Sequence, residues 1–174
     1  LVDSISNFKR NHDSSKEQII SNKKPVIAIL PGSRKQEIKK ILNTVIKIVE
    51  YFPNHQFIVA GAPNIELSYY NSSLKNKNIK VIENKTYELL SISTAAIVTS
   101  GTATLETALF KVPQVVCYKS SYFSYFIAKL IVKIKYISLV NLIMDQQIVK
   151  ELIQQDCNKV CLLYTSDAAD DGLS

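Results

Sequence analysis

A chain of 174 residues, 47% of them hydrophobic, is long enough for one globular domain with a sizeable buried core. Its formal charge of +6 suits nucleic acid, anionic lipid or a phosphorylated substrate, but no nucleic-acid-binding signature, zinc spacing or arginine-rich tract accompanies the charge, so a nucleic-acid partner is excluded. Cys117, Cys157 and Cys161 form neither a CxxC pair nor an even framework, which points to a reducing compartment.

The segment Leu1–Lys24 is polar, lysine-rich and without periodicity, and it reads as a linker or the end of a preceding domain. From Pro25 the pattern changes. "VIAIL" (Val26–Leu30) is apolar at every position, as expected of a strand covered on both faces. Ile38, Ile41, Leu42, Val45, Ile46 and Val49 then recur at helical spacing, with lysines on the opposite side. The alternation continues through "QFIVAG" as strand, "NIELSYYNSSL" as a weak helix, "IKVIE" as strand and "TYELLSIS" as a short helix. "AAIVTS", "TATLETALF" and "PQVVCYK" complete it as strand, helix and strand. Strands separated by helical segments imply right-handed crossovers and an α/β, doubly wound parallel sheet of Rossmann-like type, expected over residues 25–161. The tail Leu162–Ser174 carries three acids and no Lys or Arg, and it reads as non-native read-through.

In such a sheet, ligands bind beyond the carboxyl ends of the strands. Two stretches lie there. "TSGTATLE" ends a strand and opens a helix, so Ser100, Gly101 and Thr102 can present backbone N–H and hydroxyl donors to a phosphate, and Glu106 can accept from ribose hydroxyls. The same letters also fit Ser100 as a helix cap and Glu106 as a solvated residue. "LPGSRKQEI" places Gly32, Ser33 and Arg34 at the end of the first strand, where the Arg34 fork suits phosphate oxygens; alternatively Ser33 caps a helix and Arg34 is solvated. Only two of the 21 basic residues are arginines, which favours a role for Arg34. Neither stretch is a Walker loop or a GxGxxG fingerprint, so NAD and ATP readings weaken and no cofactor is expected. No catalytic dyad or metal set is visible.

A third stretch, Ser120–Ile143, carries an apolar stripe that includes Phe123, Phe126, Ile127 and Leu130, flanked by Lys129 and Lys133. It is too short and too charged to span a bilayer. It suits either an interfacial helix on anionic lipid or a core helix with snorkelling lysines.

In this order and spacing, "LPGSRKQEI", "SGTATLETALFKVPQVVCYK", "FIAKLIVKIKYISLVNLI" and "IVKELIQQDC" resemble the carboxyl-terminal half of the lipid-A-disaccharide synthase family. The resemblance implies an inverting, metal-independent glycosyltransferase of the two-domain GT-B type. Its donor would be UDP-2,3-diacylglucosamine and its acceptor 2,3-diacylglucosamine 1-phosphate, at the cytoplasmic face of the inner membrane of Gram-negative bacteria. It further implies that Gly32, Ser33, Arg34, Ser100, Gly101 and Thr102 meet the UDP and that Glu106 holds its ribose. Asn141, in "SLVNLI", becomes a weaker candidate, since Val140 stands where the family usually has proline. The general base is expected in an amino-terminal domain absent from this chain, which would leave it without turnover. Two other readings are a non-catalytic nucleotide-sugar or phosphate-binding module and a related GT-B enzyme, such as a UDP-GlcNAc epimerase or a peptidoglycan glycosyltransferase.

Overall fold

Strand β1 (Val26–Leu30) has all five of its residues buried, as its unbroken apolar run requires. The structure is a computed structural model that describes Ile5, Asn7, Phe8 and residues 24–74, 79–99, 101–119 and 135–158. After β1 come α1 (Lys35–Val45), β2 (Gln56–Gly61), α2 (Leu67–Leu74), β3 (Lys80–Glu83), α3 (Thr86–Ile92) and β4 (Ser93–Val98). They are followed by α4 (Thr102–Leu109), β5 (Gln114–Tyr118), α5 (Leu139–Met144) and β6 (Lys150–Ile153). The six strands form one sheet in the order β3-β2-β1-β4-β5-β6, and every pairing is parallel. The doubly wound sheet expected from the alternating pattern is therefore present.

The period of two along each strand divides the core. Ile27 and Ile29 face the layer containing Ile38, Ile41, Leu42 and Val45 of α1 and Tyr70 and Leu74 of α2. Val26, Ala28 and Leu30 face the layer containing Leu89 and Leu90 of α3. On this second face Ala28 of β1 stands in register with Ala96 of β4, and small side chains let α3 approach the sheet. Each large side chain fully withdrawn from water contributes about 1.5–3 kcal/mol. The leader expected as a linker is not free throughout, because Ile5 is buried and Phe8 packs edge-on against Tyr87 and Phe110.

Helix α5 and strand β6 had no counterpart in the pattern of alternating runs. β6 is an edge strand in which only Leu152 is buried, and Lys150 and Glu151 give it a polar character typical of protected edges. Side-chain hydrogen bonds join it to α5. Asn141 is fully buried; its amide nitrogen donates to the Val149 carbonyl and to Glu151 Oε1, both at 2.8 Å. Its Oδ1 accepts from the Ile148 and Val149 amides at 2.8 and 2.9 Å. Glu151 also accepts from the Ile137 and Ser138 amides and from the Ser138 hydroxyl.

Replacing Asn141 by alanine would leave several of these groups buried without partners, at a cost of about 2–4 kcal/mol in urea unfolding. Leu142→Ala, at an exposed neighbouring position, should stay within about 0.5 kcal/mol of the parent. Equal effects from the two changes would refute the bracket.

Candidate functional site

β1 and β4 run side by side with Ile29 opposite Ile97 and Leu30 opposite Val98, and the Thr99 amide extends the ladder by donating to the Leu30 carbonyl at 2.9 Å. The strand order reverses at this pair. α1 packs on the face of Ile27 and Ile29, whereas Ala103 and Phe110 of the α4 segment pack on the face of Ala28 and Leu30. The chain thus leaves the two strand ends in opposite directions and opens a crevice beyond them, where α/β sheets bind their ligands.

The β1–α1 turn runs through Gly32, whose φ of +87° lies in the region that favours glycine. A Cβ added there would stand 3.5 Å from both Thr99 Cγ2 and Glu37 Oε2, so the two crevice loops touch. Ser33 does not cap α1. The N-cap is Arg34, without a side-chain cap bond, and the first helical bond runs from the Ile38 amide to the Arg34 carbonyl at 3.0 Å. The amides of Lys35, Gln36 and Glu37 therefore lack intrahelical acceptors, as at any helix start. The Arg34 side chain is 80% exposed and forms an ion pair with Glu37 at 3.1 Å.

The β4–α4 turn follows the same design. Gly101 is the N-cap of α4 at φ +112° and ψ −159°, again without a side-chain cap, and a Cβ there would meet nothing within 4 Å. Thr102 is exposed at the helix start. Thr104 is buried and donates its hydroxyl to the Gly101 carbonyl at 2.8 Å, so it offers no donor to the crevice. Thr99 is also buried, and its hydroxyl has no hydrogen-bond partner. Glu106 lies one turn into α4 and is half-buried. Burial pushes its carboxyl above the ordinary range, and a hydrogen bond from Tyr87 on α3 partly offsets the rise. On Tyr87, burial and then the Glu106 charge push the phenol up.

The structure brings Gly32, Ser33, Arg34, Gly101, Thr102 and Glu106 to one end of the sheet. Ser100 lies outside the described residues, as do Phe123, Phe126, Ile127, Leu130, Lys129 and Lys133 of the apolar stripe. Asn141 stands apart: both its N–H donors and its acceptor oxygen are occupied by Ile148 and Val149 of the α5–β6 turn and by Glu151 of β6, so it has no free group for a nucleotide. Thr99, Glu37 and Tyr87 were missed in the sequence. Glu37 could have been found from its helical spacing of three from Arg34; Tyr87 carries no local signal. Cys117 is a buried strand residue, as expected, and its thiol is raised by a hydrogen bond with buried Cys157 and by burial itself. Among the described residues no helix is long and apolar enough to cross a membrane, and no three His, Cys, Asp or Glu side chains could hold a metal ion.

Two measurements probe this geometry. The backbone of Gly101 lies in a region essentially restricted to glycine, so Gly101→Ala should destabilise the chain by about 1–3 kcal/mol despite the open space. An unchanged urea midpoint would show that the turn relaxes freely. Glu106 has a raised folded-state pKa, so the stability linked to it is present below the ordinary glutamate pKa and is lost as pH rises through the folded value. Glu106→Gln should accordingly stabilise at neutral pH by a few tenths of a kcal/mol, a small figure because the group is half-exposed. Thermal melts should show the gain shrinking toward pH 4, roughly the unperturbed range, and a gain that grew on acidification would contradict the sign.

Comparison with known proteins adds the family. The family model described as lipid-A-disaccharide synthetase matches residues 1–166, which includes the first residues of the tail set aside from the sequence. The lipid-A-disaccharide synthase of Sulfurihydrogenibium sp. (strain YO3AOP1) is 35% identical over 175 residues, covering 91% of this chain and 45% of the relative. That of Coxiella burnetii (strain Dugway 5J108-111) is 39% identical over 137 residues, covering 76% of the chain and 36% of the relative. The chain thus spans less than half the length of these curated relatives. In solved structures the fold recurs in Escherichia coli ADP-heptose LPS heptosyltransferase II, at TM-score 0.55 and 12% identity over 97% of this chain and 50% of that one. It recurs also in Methanocaldococcus jannaschii UDP-GlcNAc 2-epimerase in complex with UDP-GlcNAc and UDP, at TM-score 0.60 and 16% identity over 97% of this chain and 45% of that one. These two likenesses are of fold alone, so the epimerase alternative gains nothing from them, while the family model and the two relatives named point one way. The chain belongs to the lipid-A-disaccharide synthase family.

Proposed function

We propose that this chain forms the donor-nucleotide domain of a lipid A disaccharide synthase and binds the UDP moiety of UDP-2,3-diacylglucosamine in the crevice between the ends of β1 and β4. The observation that carries this reading is the pairing, across one strand-order reversal, of two helix starts that have no side-chain cap and are each preceded by a left-handed glycine. Unclaimed amides and the helix dipoles favour a diphosphate there. Gly101 and Thr102, with Ser100 beside them in sequence, contact phosphate; Ser33 and Arg34 close on it from the other loop; Glu106 accepts from the ribose hydroxyls. Asn141 has no part in the site.

In the reaction the acceptor hydroxyl of 2,3-diacylglucosamine 1-phosphate attacks the anomeric carbon as the bond from that carbon to the UDP oxygen breaks. The electron pair leaves with UDP and the acceptor proton passes to a general base. We assign that base to the length of the relatives that this chain does not span, so the chain alone has no turnover. What it contributes is stabilisation of charge developing on the diphosphate, through fixed amides and the Arg34 guanidinium. Glu37 is mostly buried while Arg34 is exposed, and a guanidinium has five N–H donors, so Arg34 can meet phosphate without giving up Glu37.

The acylated substrates call for a lipid surface, and we place the stripe of Phe123, Phe126, Ile127 and Leu130, with Lys129 and Lys133, against the inner membrane. The described end of that stretch supports an apolar surface, since Leu142 and Ile143, with Met144 just beyond, are exposed.

Calorimetric titration of UDP into the chain tests the site. Wild type should bind, and the Arg34→Ala, Glu106→Ala double variant should bind at least about tenfold more weakly, each lost charge-assisted contact being worth about 1.5–3 kcal/mol. A folded wild-type chain that ignores millimolar UDP would overturn the reading.

A further inference from the structure

Arg34 and Lys35 are neighbouring cations at the start of α1, and different partners direct them to different places. Lys35 turns toward α2. Its ammonium lies 5.7 Å from the centre of the Tyr69 ring, and the Tyr69 hydroxyl donates to the Lys35 carbonyl at 2.6 Å. Arg34 is directed by Glu37, the third residue of α1, whose Oε1 accepts from Arg34 Nη1 at 3.1 Å. The Glu37 side chain is 15% exposed, against 80% for Arg34. Its other oxygen, Oε2, lies 3.5 Å from where a Gly32 Cβ would stand, and that same point is 3.5 Å from Thr99 Cγ2. The carboxylate is therefore lodged at the seam where the two crevice loops meet, and a hydrogen bond ties the guanidinium to that seam.

From this geometry we infer that Glu37 is a positioning residue for nucleotide binding: it anchors the Arg34 guanidinium at the seam of the crevice, with the remaining N–H donors left for the diphosphate. The inference rests on the reading of Arg34 as a phosphate-binding group. A guanidinium has five N–H donors, and Glu37 takes one. A glutamate at the third position of a helix commonly reaches back to the amide of the N-cap residue. Here the carboxylate accepts from the N-cap side chain instead. Stability gives little reason for that arrangement, since a pair with so exposed a partner adds little to folding. Simple charge argues against it, because a carboxylate beside a phosphate site repels the ligand. What the pair does provide is order: a long arginine side chain already held in place loses less freedom when the diphosphate arrives.

The test is a double-mutant cycle on the full 174-residue chain, with UDP as the probe and calorimetry as the readout. Glu37→Met and Glu37→Gln both fill the space of the glutamate and remove its charge, but only the glutamine keeps an acceptor oxygen for Arg34. Glu37→Met should weaken UDP roughly three- to tenfold, the scale expected when one long side chain has to be immobilised on binding. Glu37→Gln should stay within about twofold of the parent, since the anchor is kept. In the Arg34→Ala background Glu37→Met should have no weakening effect, because no guanidinium is left to position. Loss of a repelling charge alone would make both variants bind UDP more tightly, and a purely structural glutamate would act equally in both backgrounds. If Glu37→Met binds UDP as well as the parent or better, if the two variants behave alike, or if Glu37→Met weakens UDP equally without Arg34, the inference fails and the nucleotide reading stands. If Arg34→Ala leaves UDP binding unchanged, the phosphate role of Arg34 is itself wrong and the inference falls with it.

Discussion

The bond from the Thr99 amide to the Leu30 carbonyl is the last rung between two strands whose following helices lie on opposite faces of the sheet. Everything at the crevice depends on that arrangement. Were β1 and β4 not adjacent, the β1–α1 and β4–α4 turns could not touch through Gly32 and Thr99, and the amides at the two helix starts would serve separate surfaces. The sheet's hydrophobic layers hold this register. A slip of one residue would turn Ile27 and Ile29 away from α1 and bring Val26, Ala28 and Leu30 against it, at a cost in burial that no single loop contact could offset.

Rigid strands and preformed turns suit a site whose chemistry is electrostatic. Amides fixed at a helix start need no reorganisation when charge develops on a diphosphate, whereas water or a mobile lysine would have to be ordered first. The chain is rich in lysine yet places one of its two arginines at this turn. Glu37 holds Arg34 near its helix, and the Arg34 side chain itself stays 80% exposed. Glu37 therefore keeps the guanidinium local without neutralising it irreversibly.

Much of the sheet was legible because both its faces are covered. Continuous apolar runs such as Val26–Leu30 and a clear helical period at Ile38–Val45 leave few alternatives. The glycine-bearing turns were legible for a related reason, since so few glycines occur and two of them follow strands. α5 and β6 were not legible. Their stability comes from a polar bracket centred on Asn141 and Glu151, and hydrogen bonds between residues ten apart in sequence leave no periodic trace. The same limit applied to Tyr87, whose partner lies on another helix, and to Asn141, whose amide looked available until its bonds were located. Thr104 turns back on its own helix, as short hydroxyl side chains commonly do near a helix start.

The distribution of unfavourable features argues for a site independently of any relative. Some buried polar groups are fully satisfied: Asn141 makes four side-chain bonds, and the Tyr70 hydroxyl accepts from the Ala62 amide at 2.8 Å. At the crevice several unfavourable features stand close together. Gly101 occupies backbone space that other residues avoid, the Thr99 hydroxyl is buried without a partner, and neither helix start has a side-chain cap. Close by, burial raises the carboxyl pKa of Glu106, so its charged form is disfavoured there. A sequence shaped for stability alone would have removed these features with a serine cap, a valine in place of Thr99 and a leucine in place of Glu106. Such features at a strand-order reversal fit positions kept for binding rather than for stability.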